Sequence, residues 1–312
     1  MRWIISQHIG TMGFFDDIHK MMHLVGRDCK IDPIKLLQDE AAHKRLEGFL
    51  SVDLRNKIND GDIPRYFYKY RSMQHALDII RTGKLKFSTI DEFKDPFDGI
   101  GDWSIECSEE ECNRTIDAFL SRLPADTPMV VKEIFTDELR KNPMTLQTYA
   151  AKSIEIMRTN AGIFCMSPIF DDIIMWSYYA DSHRGVCLKL DILQDTALFS
   201  GINQVVYRNQ MPAGNVLDAS DASRLFWEAI TTKYKYWYYE QEARVVHHRK
   251  NGFLPFNKKV LNEVLFGVYT TPDDVDEVRQ ALRENGFHNV HLKKARLNTT
   301  HYKLDFYDIG RV

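Results

Sequence analysis

The 312-residue chain has little of several features that would direct a functional assignment at once. No apolar run approaches the ~20 residues of a bilayer-spanning helix, so we expect no membrane association. The net charge is only −3, which gives no overall electrostatic reason to bind nucleic acid. Internal repeats and low-complexity tracts are also lacking. These absences exclude integral membrane proteins, repeat arrays and strongly basic nucleic-acid binders.

Cysteine is also scarce, and the five cysteines are odd in number and scattered: Cys29, Cys107, Cys112, Cys165 and Cys187. This spacing excludes a dense disulfide framework and predicts a reducing, cytoplasmic compartment. Cys107 and Cys112 have no Cys or His partners at the spacing of a zinc site, so no metal is expected.

The composition that remains is that of a globular protein with a substantial core, with 44% hydrophobic and 12% aromatic residues. Residues 1–60 read as a helical N-terminal region that ends at the turn cluster 59–62. Residues 61–312 read as the main body, with a helical insertion at about 115–158. Strands and helices are mixed there without strict alternation, which predicts an α+β fold with mixed, mostly antiparallel sheets.

Two helices of the main body carry clear start and stop signals. Ser72 is a plausible N-cap, and Gly83 follows an apolar face formed by Ala76, Leu77, Ile79 and Ile80. The second helix is predicted over 272–285. Thr271 is its N-cap, Pro272 occupies its first position, and Gly286 ends it.

The most informative stretch is residues 239–245, where Glu240 and Glu242 stand before a β-type run. Because side chains alternate across a strand, we expect both carboxylates to project from one face. Like charges on one face repel, so the pair needs a cation or a ligand. A solvated strand start with Arg244 or Lys235 as counter-charge is the structural alternative.

Three pieces occur in a recognisable order: Tyr70-Arg71-Ser72 at a strand end, Ser167 at a second strand end, and Glu240-Gln241-Glu242. This order resembles the ADP-ribosyltransferase superfamily of the Arg-Ser-Glu type. The resemblance covers roughly residues 65–250 and implies a fold of that type, with NAD as substrate. The usual Ser-Thr-Ser triplet is replaced here by Cys165-Met166-Ser167, and the Arg-to-Ser separation is large enough to need the 115–158 insertion.

The chain also resembles an uncharacterised bacterial family, a domain of unknown function. The motifs that carry this resemblance are Tyr70-Arg71, Lys94-Asp95-Pro96-Phe97-Asp98, Met175-Trp176-Ser177-Tyr178-Tyr179-Ala180 with His183 and Gly185, and Tyr239-Glu240-Gln241-Glu242-Ala243-Arg244. Lys94 and Tyr178 depart from the family's Asn and His. The resemblance spans most of residues 65–270 and implies little about activity.

The resemblance to the transferases implies a role for each motif. Glu242 would stabilise the ribose cation and Glu240 would orient the acceptor. NAD would be bound by Arg71, Ser72, Ser167, Trp176 and Tyr179, with Arg71 on the diphosphate. The wider candidate cleft comprises Tyr70, Asp95, Asp98, His183 and Arg244. The implied activity is NAD-dependent ADP-ribosyl transfer or NAD hydrolysis, typical of a bacterial toxin or an anti-phage effector.

Each of these residues also has a structural interpretation. Arg71 can form an ion pair with Asp78, Asp95 or Glu242. Trp176 and Tyr179 are three positions apart on a predicted helix, which suits core packing. Ser167 and Asp95 are residues typical of turns. His183 can cap a helix end.

The sequence is also compatible with two other functions. A Mg²⁺-dependent nuclease would use Asp95 or Asp98 with Glu240 and Glu242, although Arg244 stands where many such enzymes have lysine. A non-catalytic nucleotide-sensing module would use the same cleft without turnover. A protein or nucleic-acid acceptor would be the partner of the enzyme, and the N-terminal helices would form an oligomer contact or dock an antitoxin.

Overall fold

The computed structural model describes residues 40–104, 159–215, 221–247 and 251–312, with isolated positions between 108 and 140. The N-terminal segment up to residue 39 and most of the 115–158 segment lie outside these residues. The helices are α1 (Glu40–Asn59), α2 (Met73–Thr82), α3 (Ile173–Tyr179), α4 (Thr196–Phe199), α5 (Asp221–Thr231) and α6 (Pro272–Glu284). The strands are β1 (Tyr66–Arg71), β2 (Lys84–Phe87), β3 (Asp102–Ser104), β4 (Gly162–Met166), β5 (Val186–Asp191), β6 (Ile202–Gln204), β7 (Val206–Arg208), β8 (Ala213–Asn215), β9 (Thr232–Tyr234), β10 (Ala243–His247), β11 (Gly252–Pro255), β12 (Leu261–Phe266), β13 (His291–Leu297) and β14 (Leu304–Arg311).

The chain divides into two compact units, each assembled from three segments. The smaller unit comprises Met1–His43, Thr89–Ala161 and Arg208–Tyr234, and the larger unit comprises Lys44–Ser88, Gly162–Tyr207 and Lys235–Val312. The boundary expected at residue 60 stays a prediction, because most of residues 1–60 lie outside the described part. The helix α1 lies at the end of the region 1–60 that the sequence predicts to be helical.

A five-stranded sheet forms the centre of the larger unit, in the order β1-β5-β12-β13-β14. Its pairs are antiparallel except β12 with β13, which are parallel and are connected through α6. A three-stranded antiparallel sheet has the order β4-β10-β6. Mixed, mostly antiparallel sheets with helices confirm the predicted α+β class.

The two faces of the five-stranded sheet have separate cores. On one face Val186, Leu188 and Leu190 of β5 pack with the apolar sides of α2 and α6. On the other face Cys187 joins a smaller cluster that includes Trp176 of α3. The alternation along β5 follows from the period of two in a strand.

The helix signals read from the sequence are confirmed on α2 and α6. The hydroxyl of Ser72 accepts from the backbone N–H of His75, and Gly83 adopts a left-handed conformation with φ of 63°. Thr271 and Asp274 form a reciprocal capping box at the start of α6. These contacts satisfy backbone N–H groups that a helix start otherwise leaves without partners.

The two sheets meet where β1 passes the end of β4. The backbone N–H of Tyr68 donates to the carbonyl of Ser167 at 2.6 Å, and the N–H of Ser167 donates back at 3.0 Å. Gly185 lies just before β5, so close to β1 that a Cβ there would stand 2.2 Å from the carbonyl oxygen of Arg71. A glycine is therefore required where the chain enters β5.

The smaller unit contains the parallel pair β3 with β8 and the helix α5. Its Asp95-Pro96-Phe97-Asp98-Gly99 segment is a turn, as predicted. The carboxylate of Asp95 accepts from the backbone N–H of Phe97 at 2.9 Å, and Gly99 has a φ of 72°. None of the helices in the described residues has the length and apolar content to cross a membrane.

Candidate charged site

The sequence-predicted Arg, Ser and Glu residues all belong to the larger unit. Arg71 is the last residue of β1, Ser167 follows β4, and Glu242 precedes β10. The pairing of Ala243 with Met166 places the start of β10 beside the end of β4. The Tyr68–Ser167 bridge brings β1 to the same place. The end of β4, the start of β10 and the middle of β1 therefore meet at one junction, and Arg71 lies three residues further along β1.

The predicted strand placement of Glu240 and Glu242 is wrong. Residues Lys235–Glu240 form a 3₁₀ helix, and β10 begins only at Ala243. Gln241 lies between the two carboxylates in a left-handed conformation with φ of 42°. The alternation of a strand therefore does not relate the two side chains. Both carboxylates are nonetheless buried, with relative exposures of 3% for Glu240 and 5% for Glu242.

Glu242 is paired with Arg244 in a forked arrangement. The Nε of Arg244 lies 2.8 Å from Oε1 of Glu242, and its Nη2 lies 3.1 Å from Oε2. Arg244 is completely buried. Two parallel charge-assisted bonds are the strongest way to hold a buried carboxylate. The backbone N–H of Glu242 also donates to the hydroxyl of Tyr207 at 2.7 Å, which fixes the main chain beside the pair.

Glu240 has a different set of contacts. The hydroxyl of Tyr179, on α3, donates to Oε1 of Glu240 at 2.5 Å. Burial, and then the Glu240 carboxylate, raise the pKa of Tyr179 above its ordinary value, so the phenol stays a donor. The hydroxyl of Ser167 donates to the backbone carbonyl of Glu240 at 2.6 Å. Ser167 therefore positions the main chain of Glu240.

Two cations project from β1, and one of them, Lys69, interacts electrostatically with both carboxylates. Lys69 and Arg71 are two residues apart, so they share one face of the strand. Lys69 donates to the carbonyl of Cys165, and its Nζ lies 4.9 Å from the centre of the Phe164 ring. Arg71 donates to the carbonyl of Tyr70 at 3.4 Å. Neither cation has a carboxylate partner within the described residues, so the predicted ion pairs of Arg71 are not formed.

Burial is the largest cause of the pKa shifts of Lys69, Arg71 and Cys165. Burial and then the neighbouring Arg71 lower the pKa of Lys69 to about 7, while Cys165, Glu242 and Glu240 oppose the shift. Burial also lowers the pKa of Arg71. On β4, burial and then Glu242 raise the pKa of Cys165 to about 12, so this thiol is not a nucleophile at neutral pH. We call Lys69, Arg71, Glu240, Glu242 and Arg244 the charged site.

The aromatic residues predicted to stack on a ligand divide into two cases. Trp176 is fully buried, its indole N–H donates to the carbonyl of Phe170 at 2.7 Å, and Tyr70 packs edge-on against it. A fully buried ring has no face to offer a ligand, so core packing accounts for Trp176, and its role in NAD binding stays a prediction. Tyr179 keeps 38% of its surface exposed, so it borders both solvent and Glu240.

His183 and Ser72 lie at helix ends. The Nε2 of His183 lies 3.1 Å from the hydroxyl of Ser177, and its ring stacks on Trp176. Its Nδ1 is buried and has no hydrogen-bond partner in the described part of the chain, and burial lowers the pKa of the ring. Ser72 caps α2, a structural task that accounts for this residue.

Asp95 and Asp98 belong to the smaller unit, whereas Glu240 and Glu242 belong to the larger one. The side chain of Asp98 is buried, and Lys233 lies 3.9 Å from its Oδ2. Among the residues that the structure describes, no three His, Cys, Asp or Glu side chains come together as metal ligands. No observation here favours the nuclease alternative.

Two contributors to the charged site were not identified from the sequence, Lys69 and Tyr207. The signal for Lys69 was present: it lies two positions before Arg71 in a run read as a strand, so it had to share the face of Arg71. Nothing in the sequence marks Tyr207, because its contact with Glu242 spans 35 positions.

Residues 175–245 match the model of a family described as Protein of unknown function (DUF2971). The match extends from α3 to β10 and includes Tyr179, Glu240, Glu242 and Arg244 of the charged site. It supports the predicted resemblance to an uncharacterised family. No curated protein and no solved structure matches the chain.

Proposed function

We propose that the charged site binds NAD and cleaves its nicotinamide–ribose bond, as in an ADP-ribosyltransferase or an NAD glycohydrolase. On this proposal the fold is of the ADP-ribosyltransferase type, and the protein acts in the cytoplasm as a toxin or an anti-phage effector. The observation that carries the proposal is the pair of cations on one face of β1. Arg71 has no carboxylate partner among the described residues, and Lys69 interacts electrostatically with the buried Glu240 and Glu242.

The chemistry requires three things of such a site. Departure of nicotinamide leaves positive charge on the ribose, which a nearby carboxylate stabilises. The diphosphate needs a cation, and a guanidinium is suited to hold phosphate through two hydrogen bonds. Water or an acceptor side chain must then add to the ribose carbon while its proton passes to a base. Arg71 suits the second requirement, and Glu240 and Glu242 suit the others.

The contacts of the two glutamates divide these roles. Arg244 holds both oxygens of Glu242, so this carboxylate is fixed in place and suits the stabilisation of a ribose cation. Glu240 is bonded to Tyr179, whose ring is partly exposed, so Glu240 lies closer to an incoming acceptor. This division agrees with the roles expected from the resemblance.

A non-catalytic nucleotide-binding module is the second candidate, and one observation favours it. The Glu242–Arg244 pair is internally satisfied, and a carboxylate whose charge is already compensated stabilises a cation less. In that case NAD would bind at Arg71 and no bond would break.

The test measures nicotinamide release and covalent transfer of ADP-ribose from labelled NAD, with the purified chain and mixed acceptors. We expect Glu240→Gln and Glu242→Gln to lower turnover by roughly 10²–10⁴-fold, and Arg71→Ala to weaken NAD binding. Glu263→Gln is the matched control, since Glu263 is a partly buried carboxylate of the same unit held by Lys189 and Lys293. Binding of NAD without release would select the binding module. Full activity in both Gln variants would exclude the mechanism.

A further inference from the structure

Lys69 is the residue of the charged site that the proposed function leaves without a task. It stands on the same face of β1 as Arg71, and the two are separated by a single residue. Its ammonium group has one hydrogen bond, to the carbonyl of Cys165, although an ammonium can donate three. Removing a cation from water without a counter-charge is costly. We therefore expect the ammonium group of Lys69 to bind an anion.

The surroundings of Lys69 show why it lacks a counter-charge of its own. Arg71 on β1 repels it, and Phe164 on β4 offers only a ring face. On the β10 side Arg244 takes both oxygens of Glu242, and Tyr179 donates to Glu240. Cys165 on β4 contributes a carbonyl and a thiol that stays protonated at neutral pH. The site thus holds three basic side chains against two carboxylates.

We propose that Lys69 and Arg71 act together on the two phosphates of a diphosphate ligand, and that binding of this ligand transfers a proton from solvent to Lys69. The proposal rests on the proposed function, because it assigns Lys69 to the diphosphate half of the NAD site. It adds a second anion-binding residue and a proton-linked step that concerns binding alone.

The physical basis is the competition between burial and charge. Without ligand, burial and Arg71 favour the neutral amine, which has a pKa of about 7. A phosphate oxygen near Nζ favours the ammonium form and raises its pKa. Binding above neutral pH must therefore take up a proton, and the uptake approaches one proton per site at about pH 8. Below about pH 6 Lys69 is already charged and little uptake is expected.

The experiment is isothermal titration of the full chain with ADP-ribose at pH 6 and pH 8, in buffers of different ionisation enthalpy. ADP-ribose has the diphosphate but lacks the nicotinamide bond, and its diphosphate does not titrate near neutral pH. We expect uptake of about one proton at pH 8 and an affinity that falls on the order of tenfold per pH unit above neutrality. Adenosine, which lacks phosphate, is the ligand control and should show no uptake.

Two substitutions at Lys69 sharpen the result. Lys69→Arg keeps a cation that does not titrate near neutral pH, so it should bind ADP-ribose without proton uptake. Lys69→Met keeps the apolar stem over Phe164 and removes the charge, so affinity at pH 6 should fall roughly tenfold or more. Melting curves of both variants establish that each is folded before titration.

The outcomes separate this proposal from the proposed function. Proton uptake that disappears in Lys69→Arg supports the role of Lys69, whether or not NAD is cleaved. ADP-ribose binding that depends on Arg71 but shows neither uptake nor sensitivity to Lys69→Met overturns it and leaves the proposed function standing. Absence of ADP-ribose binding in a protein that releases nicotinamide also overturns it.

Discussion

The two halves of the charged site differ in how their charges are compensated. On the β10 side Glu242 and Arg244 satisfy each other through two short hydrogen bonds, and both are buried. On the β1 side Lys69 and Arg71 have only backbone carbonyls as hydrogen-bond partners among the described residues. A satisfied pair holds strands in place, whereas unbalanced cations raise the energy of the free protein and lower it when an anion arrives. The first half therefore holds Glu242 in place, and the second half is the one that we propose binds an anion.

The largest expected effect comes from breaking the satisfied half. Arg244→Ala leaves Glu242 buried without its cation, so we expect a loss of about 3–5 kcal/mol in the free energy of unfolding. Urea denaturation measures this loss as a fall in the midpoint. Arg71→Ala is the comparison on the other side, and we expect it to change stability by less than about 1 kcal/mol. Equal losses in the two variants would contradict the division of the site.

Close packing behind Arg71 gives the next largest effect. Gly185→Ala would place a Cβ 2.2 Å from the carbonyl oxygen of Arg71, and backbone on both sides must shift. We expect a cost of about 1–3 kcal/mol, read from thermal unfolding, together with weaker binding of ADP-ribose because the strand end that bears Arg71 moves. Gly48→Ala is the control, since a Cβ there meets nothing within 4 Å.

The link between Tyr179 and Glu240 should contribute less. Tyr179→Phe removes the hydroxyl that donates to Oε1 of Glu240 and leaves the ring in place. A hydrogen bond to a charged group contributes about 1.5–3 kcal/mol, and partial exposure of the ring places this one near the lower end. Chemical denaturation checks the value, with Tyr178→Phe, a largely exposed neighbour, as the control. A loss that is the same in both variants would show that the contact contributes nothing.

The smallest effect is a dependence of stability on pH in the free protein. The folded-state pKa of Lys69, about 7, lies below the ordinary value, so the unfolded chain holds a proton there that the folded chain has lost above pH 7. The wild type should therefore gain stability relative to Lys69→Met as pH rises from 7 to 8, by about 1 kcal/mol. Subtracting the two denaturation series cancels the titration of buried cysteines and tyrosines. A flat difference would contradict the lowered pKa.

Local signals in the sequence predicted the elements of the larger unit well. The caps of α2 and α6 depend on residues adjacent in the chain, such as Ser72 with Gly83 and Thr271 with Asp274, so pattern alone located them. The convergence of Arg71, Ser167 and Glu242 came from a resemblance. The structure brings Ser167 and Glu242 to one junction and places Arg71 three residues along β1 from the Tyr68–Ser167 bridge. The activity implied by the resemblance stays a prediction.

What the sequence could not predict depends on contacts between distant residues or on single backbone torsions. The left-handed Gln241 breaks the run that reads as a strand, and this one residue changes how Glu240 and Glu242 are related. The sequence left open whether Arg244 is a cleft residue or a solvated counter-charge, because residue spacing does not reveal burial. The sequence does not reveal that Trp176 of α3 is buried against the five-stranded sheet, where it cannot contact a ligand.

The larger unit consists of three segments that are far apart in the chain, so they are synthesised at different times. Arg65 and Asp191, which pair at the edge of β1 and β5, are 126 positions apart, and β10 comes later still. Closing loops of this size before any stabilising contact forms makes folding slow. A nascent chain therefore carries Lys69 and Arg71 long before Glu240 and Glu242 leave the ribosome. Whatever activity the charged site has, it is absent until β10 has been made.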